Sequence, residues 1–263
     1  GNNVVSLSGG ADSRTVAACL QRERIPFRCA SYAGVNGDAD DDVRVAQQLA
    51  DLFASEWDLF RIGPPRAADH LRLLQQKLGM NPLSMSPLMD YLEQVRRRLG
   101  SSLTFLTGDG GDKVLPDLRP PEPHADADEA TTALLRAHRL LPLEEVGTLT
   151  GVGADAIFAE VRERLAAHPE DGWARKRVHW EIAERSRKWL FEGEDRNRSF
   201  FWSTTPFYAA PFLRACMACD DRRKAHRALY VDVLREISPP AAAIEYAGLG
   251  VPFDSRAFRT KSK

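Results

Sequence analysis

Six consecutive residues near the amino terminus, Ser8-Gly9-Gly10-Ala11-Asp12-Ser13, carry the groups of a phosphate cradle. Two glycines let the backbone approach an anion and adopt positive φ. Ser8 and Ser13 offer hydroxyls, and the first-turn amides of a following helix point at the same spot. No Gly-Lys-Ser/Thr follows, so this is not a Walker loop. A second segment, Gly108-Asp109-Gly110-Gly111-Asp112, combines glycines with carboxylates. Asp12 and Asp112, brought together beside a polyphosphate, are the two hard ligands a magnesium ion needs, with phosphate oxygens and water completing its octahedron. Taken singly, the first segment also reads as a strand–turn–helix corner and the second as an acidic turn.

Each loop follows a short apolar, β-prone run: Val4-Val5-Ser6-Leu7 before the first and Leu103-Thr104-Phe105-Leu106-Thr107 before the second. In a parallel sheet flanked by helices, ligands sit outside the carboxyl ends of strands where strand order reverses. Neighbouring strands at that point would bring Asp12 and Asp112 over one pocket. The first half alternates strand and helix signals. Val16 and Leu20 mark a helix that Pro26 helps to end, and a strand follows from Phe27 to Tyr32. Val43, Ala46, Leu49, Ala50 and Phe53 repeat at helical spacing before a strand from Glu56 to Ile62, and Leu88, Leu92, Val95 and Leu99 stripe another helix. The pattern predicts an α/β fold with a doubly wound parallel sheet, followed by a mainly helical half. Residues 1–115 are expected to form the nucleotide-binding core and 129–263 its helical completion. Between them, 116–128 holds Pro120, Pro121 and Pro123 among acids and reads as a linker or lid, or as a plain surface insertion. Asp38, Asp40, Asp41 and Asp42 cap a helix start and complement its dipole, with a nucleotide-site role for one of them as the alternative. Trp189, Phe191, Phe200, Phe201, Trp202, Phe207, Tyr208 and Phe212 are expected to form the core of the second half.

The Ser-Gly-Gly-x-Asp-Ser order resembles the pyrophosphate loop of ATP pyrophosphatases, which split ATP between its α and β phosphates. With the second loop, it resembles the synthetase domain of the asparagine synthetase family, which includes β-lactam synthetases and lasso-peptide cyclases. There a later Gly-Glu-Gly-x-Asp-Glu segment joins the first loop in clamping ATP and magnesium. The resemblance implies that Ser8, Gly9, Gly10 and Ser13 bind pyrophosphate, that Asp12 and Asp112 hold Mg2+, and that the backbone at Leu7, Thr107 and Gly108 lines the adenosine. It continues, more weakly, through Pro206-Phe207 and a helix from Arg222 to Glu236. The implied reaction adenylates a small-molecule or peptide carboxylate, releases pyrophosphate and passes the acyl group to an amine. Asp109 would orient or deprotonate that amine, standing where asparagine synthetases have glutamate and β-lactam synthetases tyrosine. Arg14 replaces a frequent second serine, and Lys113 replaces an acid. Tyr246 takes the place of a lysine that serves the adenylated intermediate, so Lys224, Lys261 and Lys263 become candidates for that charge. Lys224 leads because the family keeps a lysine nearby, with a structural ion pair as the alternative. The chain begins almost inside its first strand and is expected to be part of a longer protein. Gly1 cannot act as the first-position cysteine of the family's glutaminase domain, so a glutaminase or recognition domain would be separate or missing.

A net charge of −1 over 263 residues argues against a general nucleic-acid or membrane surface. No apolar run approaches the ~20 residues of a membrane span and no signal peptide is visible, so a cytoplasmic protein is expected. Cys216-x-x-Cys219, with Cys19 and Cys29 elsewhere, opens a second reading as a tRNA thiolase with an iron–sulfur cluster, against a plain pair of reduced thiols. A nucleotide-binding scaffold without activity is a third reading. His70, His124, His138, His168, His179 and His226 show no metal-ligand spacing and are given no part.

Overall fold

The computed structural model describes residues 2–37, 40–76, 85–117, 124–139 and 141–261, leaving aside the side chains of 189–192. It divides into two compact units, Gly1–Asp117 with Lys188–Lys263, and Leu118–Arg187. The three segments expected from sequence do not map one to one onto these units, because the last part of the chain rejoins the sheet. Residues 118–123 of the expected lid lie outside the described residues, as does Asp38.

In the first unit, five strands form a sheet in the order β3-β2-β1-β4-β5. They are β1 (Asn3–Ser6), β2 (Phe27–Gly34), β3 (Trp57–Ile62), β4 (Thr104–Leu106) and β5 (Trp202–Thr204). Every pair is parallel. Both faces are covered, so the strands read as near-continuous apolar runs. Val5, Cys29 and Leu106 face one core, with α1 (Ala11–Arg22), α2 (Asp40–Leu52) and α12 (Ala228–Ile237). Their neighbours Val4, Ala30 and Phe105 face the other, with Leu73 of α3 (Ala67–Gln76) and Met89, Leu92 and Val95 of α4 (Pro87–Leu99). Strand order reverses between β1 and β4, which pair Val5 with Leu106.

β5 was not expected, and it relocates the aromatic residues. Phe200 and Phe201 bury against the second face of the sheet, where the Phe105 and Phe201 rings lie 4.8 Å apart. Phe207 joins the first face, and Trp202 is 61% exposed under the Arg198 guanidinium. The helix expected from Arg222 to Glu236 is also interrupted. Single 3-10 turns at Asp221–Arg223 and Ala225–Arg227 precede α12, and His226 and Arg227 take positive φ of 54° and 55°. The unit is completed by α5 (Gly111–Val114), α10 (Phe191–Arg198), α11 (Ala210–Ala218), α13 (Pro239–Ala243), a hairpin of β6 (Glu245–Tyr246) and β7 (Val251–Pro252), and α14 (Arg256–Lys261).

The second unit is helical: α6 (Ala127–His138), α7 (Leu143–Thr150), α8 (Ala154–Ala167) and α9 (Trp173–Trp180). Asp126 caps α6, its Oδ1 accepting from the amides of Asp128 and Glu129 at 2.9 and 3.0 Å. A small core of Ala130, Leu134 and Leu165 packs with Val161, Trp173 and Trp180. Among the described residues no helix is long and apolar enough to cross a membrane.

Candidate active site

The loop after β1 is closed by its own side chains. The Ser8 amide donates to Ser13 Oγ at 2.9 Å, the two hydroxyls lie 3.0 Å apart, and the Gly10 amide donates to Ser8 Oγ at 3.3 Å. The Gly9 amide is taken by Asp42 Oδ1 at 2.9 Å, so one acid of the α2 start braces the loop. Gly10 begins α1 without a capping side chain. The absence of a side chain at Gly9 matters, because a Cβ there would sit 2.5 Å from Ala247 Cβ.

The loop after β4 lies directly against the first. A Cβ on Gly108 would come 2.5 Å from the Ser13 amide nitrogen, and one on Gly111 would come 2.6 Å from Asp12 Cγ. These glycines make the contact possible, and they bring Asp12 and Asp112 together as expected. The Asp12 carboxylate accepts from Tyr230 Oη at 2.6 Å and from the Asp112 amide. Burial, reinforced by the charge of Asp112, pushes its pKa up to about 6, against the pull of Tyr230 and Arg227. Asp112 Oδ2 accepts from Lys113 Nζ at 2.6 Å. The neighbouring Asp112 charge adds to the cost of ionising Asp12, and a divalent cation between the two carboxylates would relieve it, so the residues present fit Mg2+.

Asp109 is pushed up to about 7, chiefly by burial and then by Glu194, with Arg196 opposing. Thr205 Oγ1 holds its carbonyl at 2.7 Å. Behind the loop lies a buried polar network that sequence reading missed. Glu194, 1% exposed, accepts from Thr107 Oγ1 and, at 2.5 Å, from Ser203 Oγ. Asn197 Nδ2 donates to Ser203 Oγ at 3.2 Å, and Arg196 Nη2 donates to Asn197 Oδ1 at 3.1 Å. The stretch from Glu192 to Arg198 is uniformly polar and reads as a solvated face, so nothing in its pattern signalled burial.

Arg14 is wholly buried and ties the first loop to the carboxyl-terminal segment. Nη1 donates to the carbonyls of Ala241 and Ile244 at 3.0 and 2.7 Å, and Nη2 to those of Gly9 and Glu245 at 3.0 and 2.6 Å. Burial lowers the guanidinium pKa to about 10. The Ala247 amide adds a bond to the Gly9 carbonyl at 3.2 Å. Tyr246, expected from the resemblance at the place of the family lysine, packs among Phe253 and Phe258.

Lys224 is 2% exposed, and its Nζ donates to the Met217 carbonyl at 3.3 Å and to Asp221 Oδ1 at 3.1 Å. Met217 belongs to α11 and Asp221 to the turn of Lys224 itself, neither to either glycine loop. Lys261 Nζ reaches the Leu249 carbonyl at 3.2 Å, and Lys263 lies outside the described residues. The cation whose charge bears on Asp12 is Arg227, the left-handed N-cap of α12, one turn ahead of Tyr230. The Leu7 amide and carbonyl are both engaged in the sheet, by the Ala30 carbonyl at 2.8 Å and Ser31 Oγ at 2.7 Å. The Thr107 amide bonds the Thr204 carbonyl at 3.1 Å. All four cysteines are free, and among the described residues the one three-residue group able to hold a metal contains no cysteine. An apolar pocket of about 290 Å3 between α1 and α12, lined by Val16, Leu20, Phe207 and Val233, includes neither loop.

A glycine loop at the switch point of a doubly wound parallel sheet, facing a second loop rich in glycine and aspartate, defines a nucleotide-binding α/β domain. The family model for asparagine synthase matches residues 4–236, and the chain belongs to that family of ATP-dependent synthetases. No curated protein matches the chain.

Proposed function

We propose that this chain is an AMP-forming carbon–nitrogen ligase that adenylates a carboxylate, releases pyrophosphate and transfers the acyl group to an amine. The observation that carries this reading is the direct contact of the two loops, Gly108 and Gly111 against Ser13 and Asp12. Ser8, Gly9, Gly10 and Ser13 hold the β and γ phosphates as leaving group, and the loop amides oppose charge growing on the departing pyrophosphate. The backbone at Leu7, Thr107 and Gly108 lines the adenosine. Asp12 and Asp112 hold Mg2+, which supplies Lewis-acid stabilisation of phosphate charge. Asp109, with a pKa of about 7, is matched to accepting a proton from the incoming amine at neutral pH. Glu194 positions it through Thr107. Arg227 is a better-placed source of positive charge at the phosphates than Lys224, whose ammonium is engaged by Asp221 and Met217. The acid and amine are small molecules or peptides, the work is cytoplasmic, and any glutaminase or recognition domain acts beside this unit.

The test is nucleotide chromatography after incubation with Mg·ATP and a panel of acids and amines, with product masses measured. AMP and pyrophosphate are expected. ADP and phosphate as products would overturn the reading.

A further inference from the structure

The corner between α8 and α9 gathers three residues that sequence spacing did not flag. His168 ends α8, Glu170 follows two positions later, and His179 comes from the last turn of α9. One ligand-capable atom of each lies within 4.8 Å of the others. The two imidazoles stack with centroids 4.1 Å apart, and His179 Nδ1 lies 2.6 Å from Glu170 Oε1. His168 Nε2 and Glu170 Oε2 are both buried, and neither has a hydrogen-bond partner among the described residues. A buried polar atom without a partner costs about 1–3 kcal/mol. An ion pair between His179 and Glu170 alone would leave His168 Nε2 in that state.

The surroundings favour a metal over an internal cation. Lys176, the lysine of this corner, donates its ammonium to the carbonyls of Ala166 and His168, not to Glu170. Arg164 is engaged by Glu160 and Glu184. Two imidazole nitrogens with one carboxylate oxygen suit a borderline ion, whereas Mg2+ and Ca2+ favour all-oxygen shells. A tetrahedral ion about 2.0–2.2 Å from each ligand needs donor atoms roughly 3.3–3.5 Å apart. Small rotations of these half-buried side chains would bring that about, leaving a fourth position for water.

We propose that His168, Glu170 and His179 form a site for a divalent transition metal, Zn2+ foremost, which pins the α8–α9 corner. Its donors lie within the second unit, so the site is independent of the ligase reading.

The test uses the full chain, stripped with chelator and free of nucleotide, at pH 7.5. Zn2+ is titrated against a chromophoric chelator and Co2+ by visible absorption. One equivalent should bind, with tetrahedral Co2+ bands, and millimolar Mg2+ should not displace it. An Asp12→Asn/Asp112→Asn variant should keep that equivalent. His168→Gln and His179→Gln should each weaken it more than the about 10–100-fold that losing an outer partner costs. No binding by the wild type, or equal binding by wild type and a folded His168→Gln/His179→Gln variant, would overturn the site. X-ray absorption at the zinc edge of the wild type needs no variant: scattering from two imidazoles is expected, and an all-oxygen shell would overturn it.

Discussion

Asp109→Asn should stabilise the nucleotide-free protein at alkaline pH while disabling acyl transfer. The folded-state pKa of Asp109 is raised from 3.8 to about 7, by burial first and then by Glu194. The native state therefore holds the proton more tightly than the unfolded chain does. The stability this contributes is complete below about pH 4 and is lost as pH rises through about 7. A span of about three units at about 1.4 kcal/mol each means that ionised Asp109 costs the fold about 4 kcal/mol at pH 8. Asparagine keeps the shape and removes the charge, but its buried amide costs about 1–2 kcal/mol. The expected gain is about 2–3 kcal/mol at pH 8, turning into a loss of about 1–2 kcal/mol at pH 4, where only the amide cost remains. Urea unfolding in EDTA, followed by tryptophan fluorescence at the two pH values, measures the difference. A variant less stable than wild type at pH 8, or a wild-type–variant gap that does not change with pH, would refute the reasoning. The pyrophosphate exchange catalysed by the same variant should persist, because the proposed base would act only after the proposed adenylation.

Arg14→Met strips donors from four carbonyls and should cost about 3–5 kcal/mol in urea unfolding, while Arg14→Lys should recover less than half, since an ammonium cannot span them. Gly108→Ala forces a Cβ to 2.5 Å from a backbone nitrogen and should separate the loops, weakening ATP binding by calorimetry at least about tenfold. Asp12→Asn and Asp112→Asn should each abolish Mg2+-dependent pyrophosphate release with the melting temperature held or raised. Arg227→Met should slow pyrophosphate exchange about 100–1000-fold without loss of stability. Lys224→Met should do the reverse, lowering stability with turnover per folded molecule unchanged.

What sequence conveyed well was local. Val4-Val5 and Phe105-Leu106 declare strands by side-chain type, and the glycine loops follow at once, so the switch point and its paired aspartates were legible. β5 was missed because three residues are too few to show alternation, and its hydrogen bonds depend on β4, far away in the chain. The kink before α12 was missed because neither His226 nor Arg227 is a glycine, so nothing local marks positive φ. Arg14 and Glu194 look like surface residues until tertiary contacts supply their partners. The His168 corner was illegible for the same reason: its spacing matches no motif, and helix packing creates it.

The Arg14 clamp sets an order of events during synthesis. Its guanidinium must reach carbonyls 227 to 231 positions further along the chain. A nascent polypeptide can pair β1 with β2 and set Asp42 on the Gly9 amide early, but the Arg14 clamp on the same turn closes only after Ala241 to Glu245 have left the ribosome. Contacts of such separation form slowly and late. A product stalled before Ala241 would carry the complete Ser-Gly-Gly-x-Asp-Ser sequence without the clamp that ties its loop to the rest of the fold.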